Sequence, residues 1–178
     1  RDFFIRWQHT QDAKLNPNLQ FSANVNGGSS TFHRNNSFNS NDYLSNTFQS
    51  NITLNRKWDN KPYNMNINFR HSQNTRTKNI SLTIREIGFN VNRVFPFAEN
   101  STLGFLKRLN LSYSTNFKNQ ISVADSLLFN KSTFRKFRSG IRHNIPISTS
   151  VKFFKYFNFS PKINYNERWY FSQIEKNW

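Results

Sequence analysis

Polar and apolar residues alternate one by one through most of this chain. In "NMNINFRHSQN", Asn64, Asn66, Asn68, Arg70, Ser72 and Asn74 interleave with Met65, Ile67 and Phe69. The same period recurs in "NLQFSANVNGG" with Leu19, Phe21, Ala23 and Val25, and in "DYLSNTFQSNITLNRKW" with Leu44, Phe48, Ile52 and Leu54. "RLNLSYSTNFKNQ" repeats it with Leu109, Leu111, Tyr113 and Phe117. "GIRHNIPISTSVKFF" does so with Ile141, Ile145, Ile147, Val151 and Phe153, and "FNFSPKINYNERW" with Phe157, Phe159, Ile163 and Tyr165. Successive side chains of a strand point to opposite faces, so a period of two predicts β-structure. Asn is a poor strand former. Its abundance on one side of these runs means that this side has to be hydrophilic. The runs and their weaker neighbours predict about eight strands, at 2–12, 18–34, 42–58, 61–76, 79–95, 106–124, 138–155 and 157–176. The one candidate for a short helix is "DSLLFNKSTFRKF" (Asp125–Phe137).

Strands of this length exceed the ~5–6 residues usual in soluble sheets. Joined in sequence by turns, they predict an all-β, antiparallel up-and-down meander. "WDNKPY" (Trp58–Tyr63) and "FKYF" (Phe154–Phe157) are tight turns. "RNNSFNSND" (Arg34–Asp42) and "ADSLLFNKSTFRKFRSG" (Ala124–Gly140) are longer and fall at the opposite end. Transmembrane barrels have short turns at one rim and longer loops at the other. The tight ends also gather Trp58, Tyr63, Phe95, Phe97, Phe153, Phe154, Tyr156 and Phe157, as an interfacial aromatic girdle would. In lipid every backbone polar group must be paired, so a sheet there closes on itself. Its outer face is apolar and its inner face can hold water. On that reading Met65, Ile67, Phe69, Leu109, Leu111, Ile145 and Ile147 face lipid, while Arg6, Arg70, Lys118, Arg142, Lys152, Lys162 and Arg168 face a lumen. A soluble one-layer sheet, or half of a sandwich, alternates in the same way and stays open as an alternative.

Composition sharpens this picture. Only 35% of the 178 residues are hydrophobic and the mean hydropathy is −0.78, against about 45–50% apolar residues in an ordinary soluble domain. Disorder would explain such a deficit. An aromatic content of 17%, with 20 Phe, argues against it, because disordered chains are poor in aromatics. No apolar run approaches the ~18–20 residues of a membrane helix. Lys and Arg number 25 against 9 acids, a net charge of +16, which attracts polyanions. Two readings of the basic residues stand level: Lys and Arg simply wet a polar face, or, given the shortage of acids, they make a basic face that attracts phosphate or carboxylate. Nucleic acid is not an expected partner, since the aromatics lie opposite the charges rather than among them.

Catalytic chemistry is not expected. Cysteine is absent, which removes disulfides and Cys-based metal sites. His9, His33, His71 and His143 fall on separate strands, with His71 and His143 in the apolar register. No HExxH or GxSxG motif occurs, and Glu86 and Glu167 are the only acids well inside strands. The reading is therefore no enzyme, no metal and no cofactor. Pro146 and Pro161 interrupt strand patterns and predict local bulges. The chain does not begin with Met, and Arg1-Asp2-Phe3 reads as the middle of a longer protein.

Several strings go beyond pattern. "WQHTQDAKLNPNLQFSANVNGGSS", "NDYLSNTFQSNITL", "RHSQNT", "GFNVNRVFPF", "HNIPISTSVKFFKYFNFSP" and "ERWYF" resemble the barrel of the lipopolysaccharide-assembly outer-membrane family, LptD (OstA-like), in a divergent branch. The resemblance runs through nearly the whole chain. It implies residues 1–178 as a segment of a single, very large barrel in the outer membrane of a Gram-negative bacterium. The family's periplasmic jellyroll domain, which receives lipopolysaccharide from periplasmic bridge proteins, and the remaining strands lie outside this segment. It further implies lipopolysaccharide as cargo, an LptE-like lipoprotein plugging the lumen, and outer-membrane lipid around the wall. The strings match barrel interior rather than terminal strands, so no lateral gate is placed here and Pro146 is not a gate proline. About eight strands close only a narrow barrel, so a curved, incomplete wall with open edges is expected. The alternatives are a small barrel or porin-like channel, whose first and last strands should pair, and a soluble periplasmic sheet protein that binds anionic ligands.

Overall fold

The structure, a computed structural model, describes residues 2–36, 40, 46–99, 101–128, 130, 133–154 and 156–171. Its strands are β1 (Phe4–Thr10), β2 (Leu19–Gly28), β3 (Thr47–Lys57), β4 (Tyr63–Asn74), β5 (Asn79–Val94), β6 (Asn110–Ala124), β7 (Arg138–Ser148), β8 (Val151–Phe153), β9 (Phe157–Phe159) and β10 (Lys162–Tyr170). Short helices α1 (Phe32–Asn36) and α2 (Gly104–Lys107) lie in connections. Eight strands form one antiparallel sheet in the order β1-β2-β3-β4-β5-β6-β7-β10, and β8 and β9 form a separate two-stranded ribbon. β1 and β10 are the edges and do not pair with each other, so the sheet is an open meander. The wall is all-β and not closed, as the sequence leads one to expect.

Each of the eight expected strands has a counterpart, and the differences lie at the ends. The run 18–34 stops at Gly28, because Phe32–Asn36 turn into α1. Asp2 gathers that segment: its carboxylate accepts hydrogen bonds from Thr31 Oγ1 (2.6 Å), Asn35 Nδ2 (2.8 Å) and Ser29 Oγ (3.2 Å). The run 106–124 starts at Asn110, since Gly104–Lys107 form a helical turn that leaves Leu109 just outside the strand. The candidate helix at 125–137 is two 3-10 turns, Asp125–Leu127 and Thr133–Lys136. Residues 42–45 of the third run, the tail of the eighth beyond 171, and the Phe153 side chain lie outside the described residues.

The last hairpin is broken rather than continuous. Lys162 pairs with Ser148, and further out Val151 pairs with Phe159 in the same register. Pro161 sits at the break, where it has no N–H to donate. Its carbonyl still accepts from Thr149 N at 3.2 Å. Pro146 departs from expectation: it pairs with Asn164 and the β6–β7 register runs past it without a shift, so it makes no bulge. The β6–β7 ladder simply omits two pairs there, Ser112 with Pro146 and Tyr113 with Ile145. Two register shifts fall in β5. At the first, Ile84 is extra against both neighbours: Thr83 and Arg85 bracket the shift against β6, and Asn68 and Arg70 face it from β4. The second lies between Val91 and Val94, against β6.

Turn lengths segregate only in part. The tight turns at 58–62 and 154–156 share an end with the long connection at 95–109, and the four-residue turn at 75–78 shares the other end with the long loops. Buried apolar residues among those described are Ala23, Phe48, Ile80 and Ile121. Among the described residues no second layer covers either face of the sheet. A soluble sheet normally packs one face on a core. The lengths of β2 to β7, from 10 to 16 residues, match or exceed the ~9–11 residues of a tilted membrane strand. No helix among the described residues is long and apolar enough to cross a membrane, which says nothing of strands.

Candidate functional site

The register assigns every strand residue to a face, because directly opposed residues share a side. From Arg70 the polar face runs outward through Asn51, Asn24 and Gln8 in one direction. In the other it runs through Thr83, Gln120 and Arg138. The neutral side chains there bond across strands. Asn90 Nδ2 donates to Asn64 Oδ1 at 2.9 Å, and Asn64 Nδ2 to Asn92 Oδ1 at 3.3 Å. Ser148 Oγ donates to Asn110 Oδ1 at 2.8 Å, and Ser81 Oγ to Ser122 Oγ at 3.0 Å. These links are why Asn is tolerated in strands that its backbone preference disfavours.

Arg6, Lys57, Arg70, Lys118, Arg138, Arg142, Lys162 and Arg168 share this face with one acid, Glu86, among the described strand residues. Arg70 Nη2 lies 3.4 Å from Glu86 Oε2. Six of the seven basic residues expected from alternation therefore stand on one polar face. Lys152 lies beyond the eight-stranded sheet, in the β8–β9 ribbon opposite Asn158, so the register of that sheet does not assign it a side. Arg138 and Lys57 belong to the face but sit at strand ends, where alternation is too short to assign a side. Gly140 has no side chain to enter any pattern. Its register between Lys118 and Tyr170 puts a gap in the face.

The opposite face carries Met65, Ile67, Phe69, Leu111, Ile145 and Ile147 in register with one another's neighbours: Met65 with Phe89, Ile67 with Leu54 and Ile87, Leu111 with Ile147, and Ile147 with Ile163. Leu109, one residue short of β6, is held by its N–H to Leu106 O at 3.0 Å. His71 and His143 lie on this face, as their alternation predicts. Ser50 Oγ is 3.3 Å from His71 Nδ1, and Tyr113 Oη 2.8 Å from His143 Nδ1. Glu167 is on this side too, accepting from Trp169 Nε1 at 2.7 Å. No group of three or more potential metal ligands occurs among the described residues.

One end of the sheet is aromatic. Phe95, Phe97, Phe105, Phe154, Tyr156 and Phe157 are exposed there, Phe154 and Tyr156 by nine-tenths. Tyr63 stacks on Phe89 at 6.1 Å, and the Arg56 guanidinium lies 5.0 Å over Trp58. The other end carries the exposed cations Arg76, Arg135 and Lys136 in its loops.

The chain matches the LptD protein family over residues 1–178. No curated protein and no solved structure matches it. The family is one of transport and assembly rather than catalysis. With that match along the full sequence, and an all-β meander that is wet on one face and oily on the other, the chain belongs to the LptD family of outer-membrane proteins that serve lipopolysaccharide transport and assembly.

Proposed function

We propose that residues 1–178 are one segment of the wall of a larger outer-membrane barrel, the lipopolysaccharide translocon, and that its basic face lines the lumen. There it guides the phosphorylated saccharide of lipopolysaccharide while Met65, Ile67, Phe69, Leu111, Ile145 and Ile147 meet lipid. The observation that carries this reading is the one-layer sheet whose polar face, among the strand residues that the register places, holds eight basic side chains and one acid. Uncovered apolar strands need lipid, and a surplus of guanidinium and ammonium groups needs anions. The unpaired edges β1 and β10 favour a larger barrel over a small closed one. The bare apolar face disfavours a soluble sheet. An LptE-like plug inside the barrel, and periplasmic bridge proteins engaging a domain outside this segment, are the partners this role requires.

Reversing Arg6, Arg70 and Lys162 together to Glu tests it. The protein should still insert, and outer-leaflet lipopolysaccharide, quantified by surface labelling of cells, should fall several-fold. Unchanged surface lipopolysaccharide with normal insertion would overturn the guidance role.

A further inference from the structure

Four cations ring Gly140 on the polar face. Arg138 and Arg142 flank it two residues away on β7, Lys118 faces it from β6, and Arg168 stands directly opposite Arg142 on β10. Between them lies a cavity of about 430 Å³. Gly140 opens its floor: a Cβ there would come within 3.1 Å of the Trp169 carbonyl oxygen. The Tyr170 ring, 3.5 Å from the same point, walls the β10 side.

The pairing of Arg142 with Arg168 is the informative feature. Like charges in directly opposed positions destabilise a strand pair. None of the four cations makes an ion pair with another described residue. Glu86, the acid opposite Lys118, is engaged by Arg70. A dianionic oxyanion between Arg142 and Arg168 removes the repulsion, and guanidinium groups hold such an anion through two parallel hydrogen bonds.

We propose that the Gly140 cradle is a binding site for a sugar phosphate, with the phosphate held by Arg142, Arg168, Arg138 and Lys118 and the sugar ring lying along Tyr170. It rests on the reading of this face as a path for a phosphorylated glycolipid, and it adds the point on that path where the phosphate is held.

The test uses the membrane protein purified in nonionic detergent and glucose 1-phosphate as probe, with glucose as the unphosphorylated control. Saturable binding of glucose 1-phosphate, and none of glucose, is expected by calorimetry. The Arg142→Gln/Arg168→Gln double variant should bind at least tenfold more weakly. The Lys61→Gln/Arg76→Gln variant removes the same charge from exposed turns and should stay within twofold. Without ligand, Arg142→Gln/Arg168→Gln should melt no lower than the unmodified protein, since it removes a repulsion; this separates loss of binding from loss of fold. No saturable binding, equal weakening in both double variants, or a lower melting temperature for Arg142→Gln/Arg168→Gln overturns the site. Arg6, Arg70 and Lys162 lie outside the cradle. A failure here that leaves their export defect intact therefore removes the cradle and not the guidance role.

Discussion

Asn66 and Gly88 show how closely the polar face is fitted. They are opposed in the ladder, and a Cβ on Gly88 would meet Asn66 Oδ1 at 2.1 Å, so the amide lies over the space the glycine leaves. Asp2 does comparable work before the first strand. Hydrogen bonds from Thr31, and then from Asn35 and Ser29, hold its carboxyl below the usual value of 3.8. A lowered acid pKa stabilises the fold above the ordinary carboxylate value, and the gain is lost as pH falls through the lower folded value. Protection of the α1 amides, taken relative to their intrinsic exchange rate at each pH, should therefore hold at neutral pH and fall only in the acid range below about pH 4. In Asp2→Asn the acid-dependent step should vanish. An unaltered step in that variant would assign it to another group.

At the scale of elements, alternation exposed the strands and their sides because one face is wet and the other oily along most of each run. It failed where side chains stop reporting. Phe32 and His33 continue the look of a strand, yet they turn into α1 under the hold of Asp2 on Thr31 and Asn35. The bulge at Ile84 is silent in the sequence: Ile84 follows Leu82 in perfect alternation, yet it has no partner in the ladder, and Arg85 takes the next place, opposite Asn119. A bulge bends its strand and raises the local twist, which a curved wall requires. Because Ile84 is extra against both β4 and β6, deleting it should preserve both ladders and move no side chain to the other face. A cysteine at Leu82 should then keep its contact with lipid, read by quenching of an attached fluorophore from lipid-borne quenchers. Transfer of that probe to the aqueous side would show that the bulge fixes the faces as well as the bend. The Gly140 cradle was legible only in fragments: Arg142 and Arg168 fall on the polar side by alternation, but their opposition is a fact of register that one strand does not carry.

Over the whole molecule, the sheet has a face but no closure. Among the described residues β1 and β10 have no partner strand on their outer sides, and exposed edges recruit other strands. The isolated 178-residue chain refolded in detergent should therefore form oligomers by light scattering, with β-content retained. A clean monomer would point to a sheet that closes alone and would weaken the larger-barrel reading. The cross-strand amide network has a consequence of another kind. Asn side chains and guanidinium groups gain and lose no protons in the physiological range. A polyanion moving over such a surface meets a field that acidity scarcely retunes. Dissolved ions, in contrast, shorten its reach to about 10 Å at 0.1 M ionic strength. On the proposed reading, the passage would thus answer to the saltiness of the cell's surroundings, and divalent cations that coat phosphates would govern how firmly it holds a phosphorylated cargo.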